Sequence, residues 1–148
     1  MGTRNSIGIV NQDGTVETVY CQFDGYPSHN GKILQEHYCT ESRVRELLAH
    51  GDMSQLGEHI APPEGVEHSL KCFVPHTCVF YKRDDGRTGQ ESKKHDNIAA
   101  ARAVVDGEWL YLFRLDVAGC PYWSCWHPIR FDSPEKLLVD VLGGRVES

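Results

Sequence analysis

The run Tyr20-Cys21-Gln22-Phe23-Asp24-Gly25-Tyr26-Pro27-Ser28-His29-Asn30-Gly31, continuing as Lys32-Ile33-Leu34-Gln35-Glu36-His37-Tyr38, decides how this chain folds. Its first residues close a strand, turn signals follow at Asp24-Gly25 and Asn30-Gly31, and a helix pattern begins at once. Gly and Asn tolerate positive φ and Pro27 fixes its own, so the backbone here is tightly specified. A rigid loop leading from a sheet edge into a helix is a common place to hold a ligand, which makes Tyr26 and Asn30 candidate contacts. An ordinary strand-to-helix connection is the plainer reading of the same residues.

Upstream of this run, Ser6-Ile7-Gly8-Ile9-Val10 predicts a first strand and Asn11-Gln12-Asp13-Gly14 a turn. Residues 15–23, rich in Thr, Val and Tyr, predict the returning strand of a β-hairpin. Downstream, residues 31–37 suit a short helix and residues 41–50 a second one. Thr40 serves the second as N-cap, Glu41 favours its positive end, Gly51 suits C′, and Val44, Leu47 and Leu48 form one apolar stripe. Residues 54–58 predict a further helical turn, which Ala61-Pro62-Pro63-Glu64-Gly65 breaks. A strand is expected over 77–83, ended by Asp84-Asp85-Gly86, and then a solvated loop over 87–94, where no apolar residue occurs. Asp96 is placed to cap a helix over 97–105. Trp109-Leu110-Tyr111-Leu112-Phe113-Arg114-Leu115 is the strongest strand pattern in the chain, and residues 122–126 pair back onto it across Ala118-Gly119-Cys120-Pro121. Ser133-Pro134-Glu135 opens a last helix carrying Val139 and Leu142, closed by Gly143-Gly144. Strands and helices do not alternate as βαβ units. The expected fold is α+β, an antiparallel β-sheet with several short helices packed mainly on one face, in one domain spanning residues 1–148.

Composition agrees with a globular domain: of 148 residues, 40% are hydrophobic and 24% charged. No apolar run reaches the length of a membrane span, and the first residues lack the apolar core of a secretory signal. The six cysteines are therefore expected to be reduced thiols in a cytosol. Cys21 and Cys39 have apolar neighbours and read as small core residues. Neither Cys72 with Cys78 nor Cys120 with Cys125 has the spacing of a zinc knuckle, and a zinc site of Cys120, Cys125 and His127 is a minor alternative. A net charge of -6 argues against duplex nucleic acid as partner, though a small phosphorylated ligand needs only a local cluster of cations and N–H groups.

The eight histidines show no metal-ligand spacing, and no nucleophile elbow or phosphate-binding Gly-rich loop with Lys occurs. Two clusters read as binding rather than catalysis. In Phe80-Tyr81-Lys82-Arg83 an aromatic face can stack on a purine while Arg83 forks onto a phosphate; a strand with core aromatics and solvated cations would look the same. Asn97 at a helix start can read an adenine edge, and Arg114 in an apolar strand can neutralise a pyrophosphate, since a bare buried Arg would be costly.

Thr3-Arg4-Asn5-Ser6-Ile7, Tyr20-Cys21, Asp24-Gly25-Tyr26-Pro27 with Asn30-Gly31, Glu36-His37-Tyr38, Ala49-His50-Gly51-Asp52-Met53-Ser54-Gln55-Leu56-Gly57 and Tyr111-Leu112-Phe113 together resemble the first family of Thoeris anti-defence proteins of phages. The likeness covers most of the chain to about Phe113 and is clearest over residues 1–57. It implies a sponge without enzymatic activity or cofactor, which sequesters glycocyclic ADP-ribose signals and so blocks a bacterial defence effector. It further implies a homohexamer built from dimers, ligand sites between protomers, cyclic trinucleotides at separate sites in some members, and residence in the cytoplasm of the infected host. An aromatic, an amide and an arginine of the family's site correspond to Phe80 or Tyr81, Asn97 and Arg114. The cysteine content and the segment from Cys120 onward depart from the pattern and bear on ligand specificity. Two rivals stand beside this reading: an enzyme degrading a nucleotide immune signal through a Cys or His nucleophile, and an acidic protein inhibitor of a host defence nuclease.

Overall fold

A computed structural model describes residues 3–105, 109–128 and 136–143. Alternating apolar residues build a mixed sheet. Its hairpin is β1 (Asn5–Val10) and β2 (Val16–Cys21). A wide π-type helical turn, Pro27–Gly31, leads into α1 (Lys32–His37), and α2 (Glu41–Ala49) follows. The Thr40 hydroxyl accepts from Arg43 N at 3.3 Å, the expected N-cap, and Gly51 (φ +81) stands beyond the last turn. Then come β3 (Met53–Gln55), β4 (Val79–Phe80), α3 (Tyr81–Asp85), β5 (Lys93–His95) and α4 (Ile98–Ala103). The last described elements are β6 (Trp109–Leu115), β7 (Pro121–Trp126), β8 (Lys136–Leu137) and α5 (Leu138–Leu142).

The strand order is β4-β3-β2-β1-β6-β7-β8, with β5 paired to β2. The α+β class holds, but the sheet is not wholly antiparallel. β1 runs parallel to β6, with Ile7 opposite Tyr111, and β2 meets β3 in parallel at Cys21 and Met53. Strand direction depends on which distant segments pair, and neither strand's own residues encode it.

The pleat sorts side chains onto two faces. On one, Ile7, Ile9, Val19, Tyr111, Phe113 and Trp123 pack against Leu34 and Tyr38, the α2 stripe Val44, Leu47 and Leu48, and Leu138 and Val141 of α5. On the other, Val16, Leu110 and Leu112 meet Ala101, with Ile98 beside them, so α4 covers that face. Three buried aromatic tips are satisfied: Tyr38 donates to Gly57 O at 2.7 Å, Trp123 Nε1 to Tyr38 O at 2.8 Å, and the Tyr111 hydroxyl to Gly25 O.

Several elements differ from expectation. Residues 53–55 form a strand rather than a helical turn, because Gln22 N and Phe23 N donate to Met53 O and Ser54 O, both at 3.1 Å. The predicted strand over 77–83 stops at Phe80. There Asp84 Oδ2 accepts the Phe80 N–H at 2.8 Å, and Gly86 (φ +67) ends one short helix. Part of the polar 87–94 loop is recruited as β5 by the free edge of β2. Asn97, not Asp96, caps α4. The proposed helix start at Ser133, Pro134 and Glu135, and Gly144 at its end, lie outside the described residues; Gly143 caps α5.

Candidate functional site: an aromatic and guanidinium cleft

A cleft of about 600 Å³ opens where β2 runs out. The two backbone bonds from Gln22 and Phe23 to β3 set Gln22, Phe23 and Asp24 beside Ser54 and Gln55. Pairing of Met53 with Phe80 brings α3 to the same edge, where Tyr81 N donates to Asp52 O at 3.2 Å. The left-handed Gly86 reverses the chain, so that Arg87 N returns to Tyr81 O at 3.0 Å. The Arg87 guanidinium then lies 4.5 Å from the centre of the Tyr81 ring, steadied by Asp85 at 2.7 Å. Leu70 and Phe73 complete its lining.

Phe23 and Phe73 are 40% and 47% exposed, a large aromatic area left open to solvent at one place. Burial pushes the Tyr81 phenol above its ordinary range, and a Ser54 hydrogen bond and Arg87 only partly offset that. Tyr81 is thus a neutral hydroxyl on an aromatic plate. The cleft offers aromatic rings, a guanidinium, two amides and a carboxylate.

Of the residues singled out in the sequence, Tyr81 lines this cleft. Phe80 is fully buried behind it, stacked on His50 at 4.6 Å and covered by the Arg83 guanidinium at 4.8 Å. Arg83 is engaged internally: it donates to Ile60 O at 2.7 Å, to Cys78 O at 3.1 Å and to both carboxylate oxygens of Asp84. Asn97 spends its side-chain oxygen on Ala100 N at 2.8 Å as the α4 cap. Arg114 stands opposite Tyr122 and lines a separate groove with Asn11, Gln12 and Asp116. Tyr26 is 40% exposed, with its ring edge-on to His29 and its hydroxyl 3.5 Å from Asp24. Asn30 is fully buried and donates to Phe23 O at 2.9 Å, supporting the loop behind the cleft. Within one chain, Tyr81 and Arg114 therefore line different surfaces.

Sequence reading passed over Arg87, Gln55 and Phe73. Arg87 sat in an apolar-free stretch that read as solvated, and its position depends on the turn at Gly86. Phe23 lies in the run 20–31, and an aromatic directly before the Asp24-Gly25 turn signal is its clue.

The thiols nearest the core are poorly suited to nucleophilic work. Burial raises those of Cys21, to about 12, and of Cys78 and Cys125, while Cys39, Cys72 and Cys120 are exposed. Cys125 faces the core and Cys120 lies in the exposed β6–β7 turn; among the described residues no group of three or more His, Cys, Asp or Glu side chains is placed to hold a metal ion. No helix among these residues is long and apolar enough to cross a membrane. Compared with protein-family models, with curated proteins and with solved structures, the chain matches none of them.

Proposed function

We propose that this protein binds a glycocyclic ADP-ribose signal and sequesters it intact, acting as a phage anti-defence sponge in the infected host. The observation that carries this reading is the Tyr81–Arg87 stack in a cleft lined by Phe23 and Phe73. Its volume falls within the roughly 300–1,000 Å³ of clefts that enclose small ligands. Adenine stacks on the exposed Phe23 and Phe73 rings, Arg87 neutralises the pyrophosphate, and Gln22, Gln55 and Asp24 take ribose hydroxyls. The likeness to the anti-defence family adds the hexamer and sites shared between protomers. In such an assembly Asn97 and Arg114 reach the ligand from a neighbouring chain, and a cyclic trinucleotide occupies a separate site.

Sequestration requires affinity without turnover, and the cleft lining of Gln, Phe, Asp, Ser, Leu, Tyr and Arg side chains supplies neither a Cys nor a His, which favours it over an enzyme with such a nucleophile there. The test is calorimetric titration with glycocyclic ADP-ribose, followed by denaturation and analysis of the released ligand. One ligand per site recovered unchanged is expected. Heat of continuous conversion, or no heat from folded, assembled protein, defeats the reading.

A further inference from the structure

Leu70 and Phe73 of the cleft lining come from the segment 65–75, whose backbone makes few bonds to the body of the protein. Over 65–75 the backbone bonds are local, Val66 N to Pro63 O at 3.2 Å and Ser69 N to Cys72 O at 3.0 Å, and the segment is tied back to the body at its end, where His76 O accepts from His59 N at 3.1 Å. A further local bond runs from Cys72 N to Ser69 Oγ at 3.1 Å. His68 is the exception, with a side chain only 2% exposed. Its Nε2 lies 2.8 Å from Cys78 O, and its Nδ1 accepts the Val74 N–H at 3.0 Å. A carbonyl only accepts, so Nε2 carries the proton and both ring nitrogens are used. Asp84 Oδ2 lies 3.6 Å from Nε2, and Arg83 donates to the same Cys78 carbonyl. The imidazole thus ties the segment to Cys78 through Nε2 and braces it internally against Val74 through Nδ1, while Leu70 and Phe73 line the cleft. Where the segment leaves and rejoins the fold, Gly65 (φ +78) and His76 (φ +60) sit in the left-handed region. Such short reversals let a loop move as one piece.

We propose that residues 65–76 are a lid over the Tyr81–Arg87 cleft and that His68 is the positioning residue that holds it closed. The idea rests on that cleft being the binding site. A closed lid puts the Phe73 ring across from Tyr81, and an open one leaves Ser54 and Tyr81 to solvent. Lids of this kind belong to the least stable parts of a fold, because few contacts must break for them to open.

The test needs no messenger. A Ser54→Cys reporter is alkylated with iodoacetamide and followed by peptide-resolved mass spectrometry, alongside amide exchange, in three backgrounds: His68, His68→Ala and His68→Gln. In His68→Ala, labelling at position 54 and exchange over 66–74 are expected to rise together by about tenfold, with β1 and β6 unchanged. Gln offers a donor for Cys78 O, so His68→Gln should recover most of the protection. Faster exchange without faster labelling shows a segment that does not cover the cleft. Unchanged exchange removes His68 as the latch, and a rise shared by β1 and β6 reports general destabilisation; any of the three overturns the proposal. Because no messenger is added, failure to bind one counts against sequestration alone.

Discussion

The Asn30 side-chain amide donates to Phe23 O at 2.9 Å and to Asn5 Oδ1 at 3.3 Å, tying the end of β2 to the turn before α1 and to the first residue of β1. His29 Nδ1 meets the other end of the amide at 3.0 Å. Asn30 is therefore the internal clamp of the loop that presents Phe23. Asn30→Ala should lower unfolding free energy by about 2 kcal/mol, since buried partners lose their hydrogen bonds. Urea unfolding measures this, and a change within error would remove the clamp from the account.

Arg87 and Arg83 should separate binding from stability. Arg87→Ala removes the guanidinium over Tyr81 and is expected to weaken messenger binding by about tenfold to a hundredfold with little change in unfolding midpoint. Arg83→Ala leaves the nearly buried Asp84 carboxylate without its cation and should cost about 3 kcal/mol of stability. Calorimetry and denaturant unfolding on both variants test the contrast; the opposite assignment of effects would misplace the site.

At the start of α4, Asn97→Ala deletes the bond to Ala100 N and should destabilise by about 1 kcal/mol, whereas Asn97→Ser preserves a cap. Comparing binding by these two variants separates capping from ligand contact. Serine restores stability but cannot reach an adenine edge as asparagine does, so binding that returns with Asn97→Ser would assign Asn97 a purely structural role.

Stability should fall on mild acidification. Burial, then the charge of Arg83, lowers the His50 pKa, and burial, then Lys93, lowers that of His95. The unfolded chain, with ordinary imidazoles near 6.5, takes up these protons before the native one. Their contribution is complete above that value and declines as pH drops below it. Urea midpoints at about pH 7.5 and about pH 5.5 should differ less in a His50→Gln, His95→Gln double variant than in the parent. An equal difference would exclude these two groups as the source.

What was legible in the sequence was local. The hairpin, the α2 cap at Thr40 with Gly51 behind it, and the β6–β7 pair each announce themselves within a few residues. β3 and β5 do not, because two of the three residues of β5 are lysines and only the vacant edge of β2 makes them a strand. The same limit applied to the cleft. Tyr81 was visible as an aromatic beside cations, but Arg87 reaches it through one left-handed glycine, and Phe73 crosses from a loop with no periodic pattern.

The parallel pairing of β1 with β6 sets an order on biosynthesis. β1 lies mid-sheet, and its second neighbour is made about a hundred residues later, so a ribosome-bound chain carries the apolar strand Asn5–Val10 with one side unzipped until Trp109–Phe113 emerges. Nascent chains stalled before that point should engage chaperones and stick to one another, and release should come abruptly when the late strand slots in.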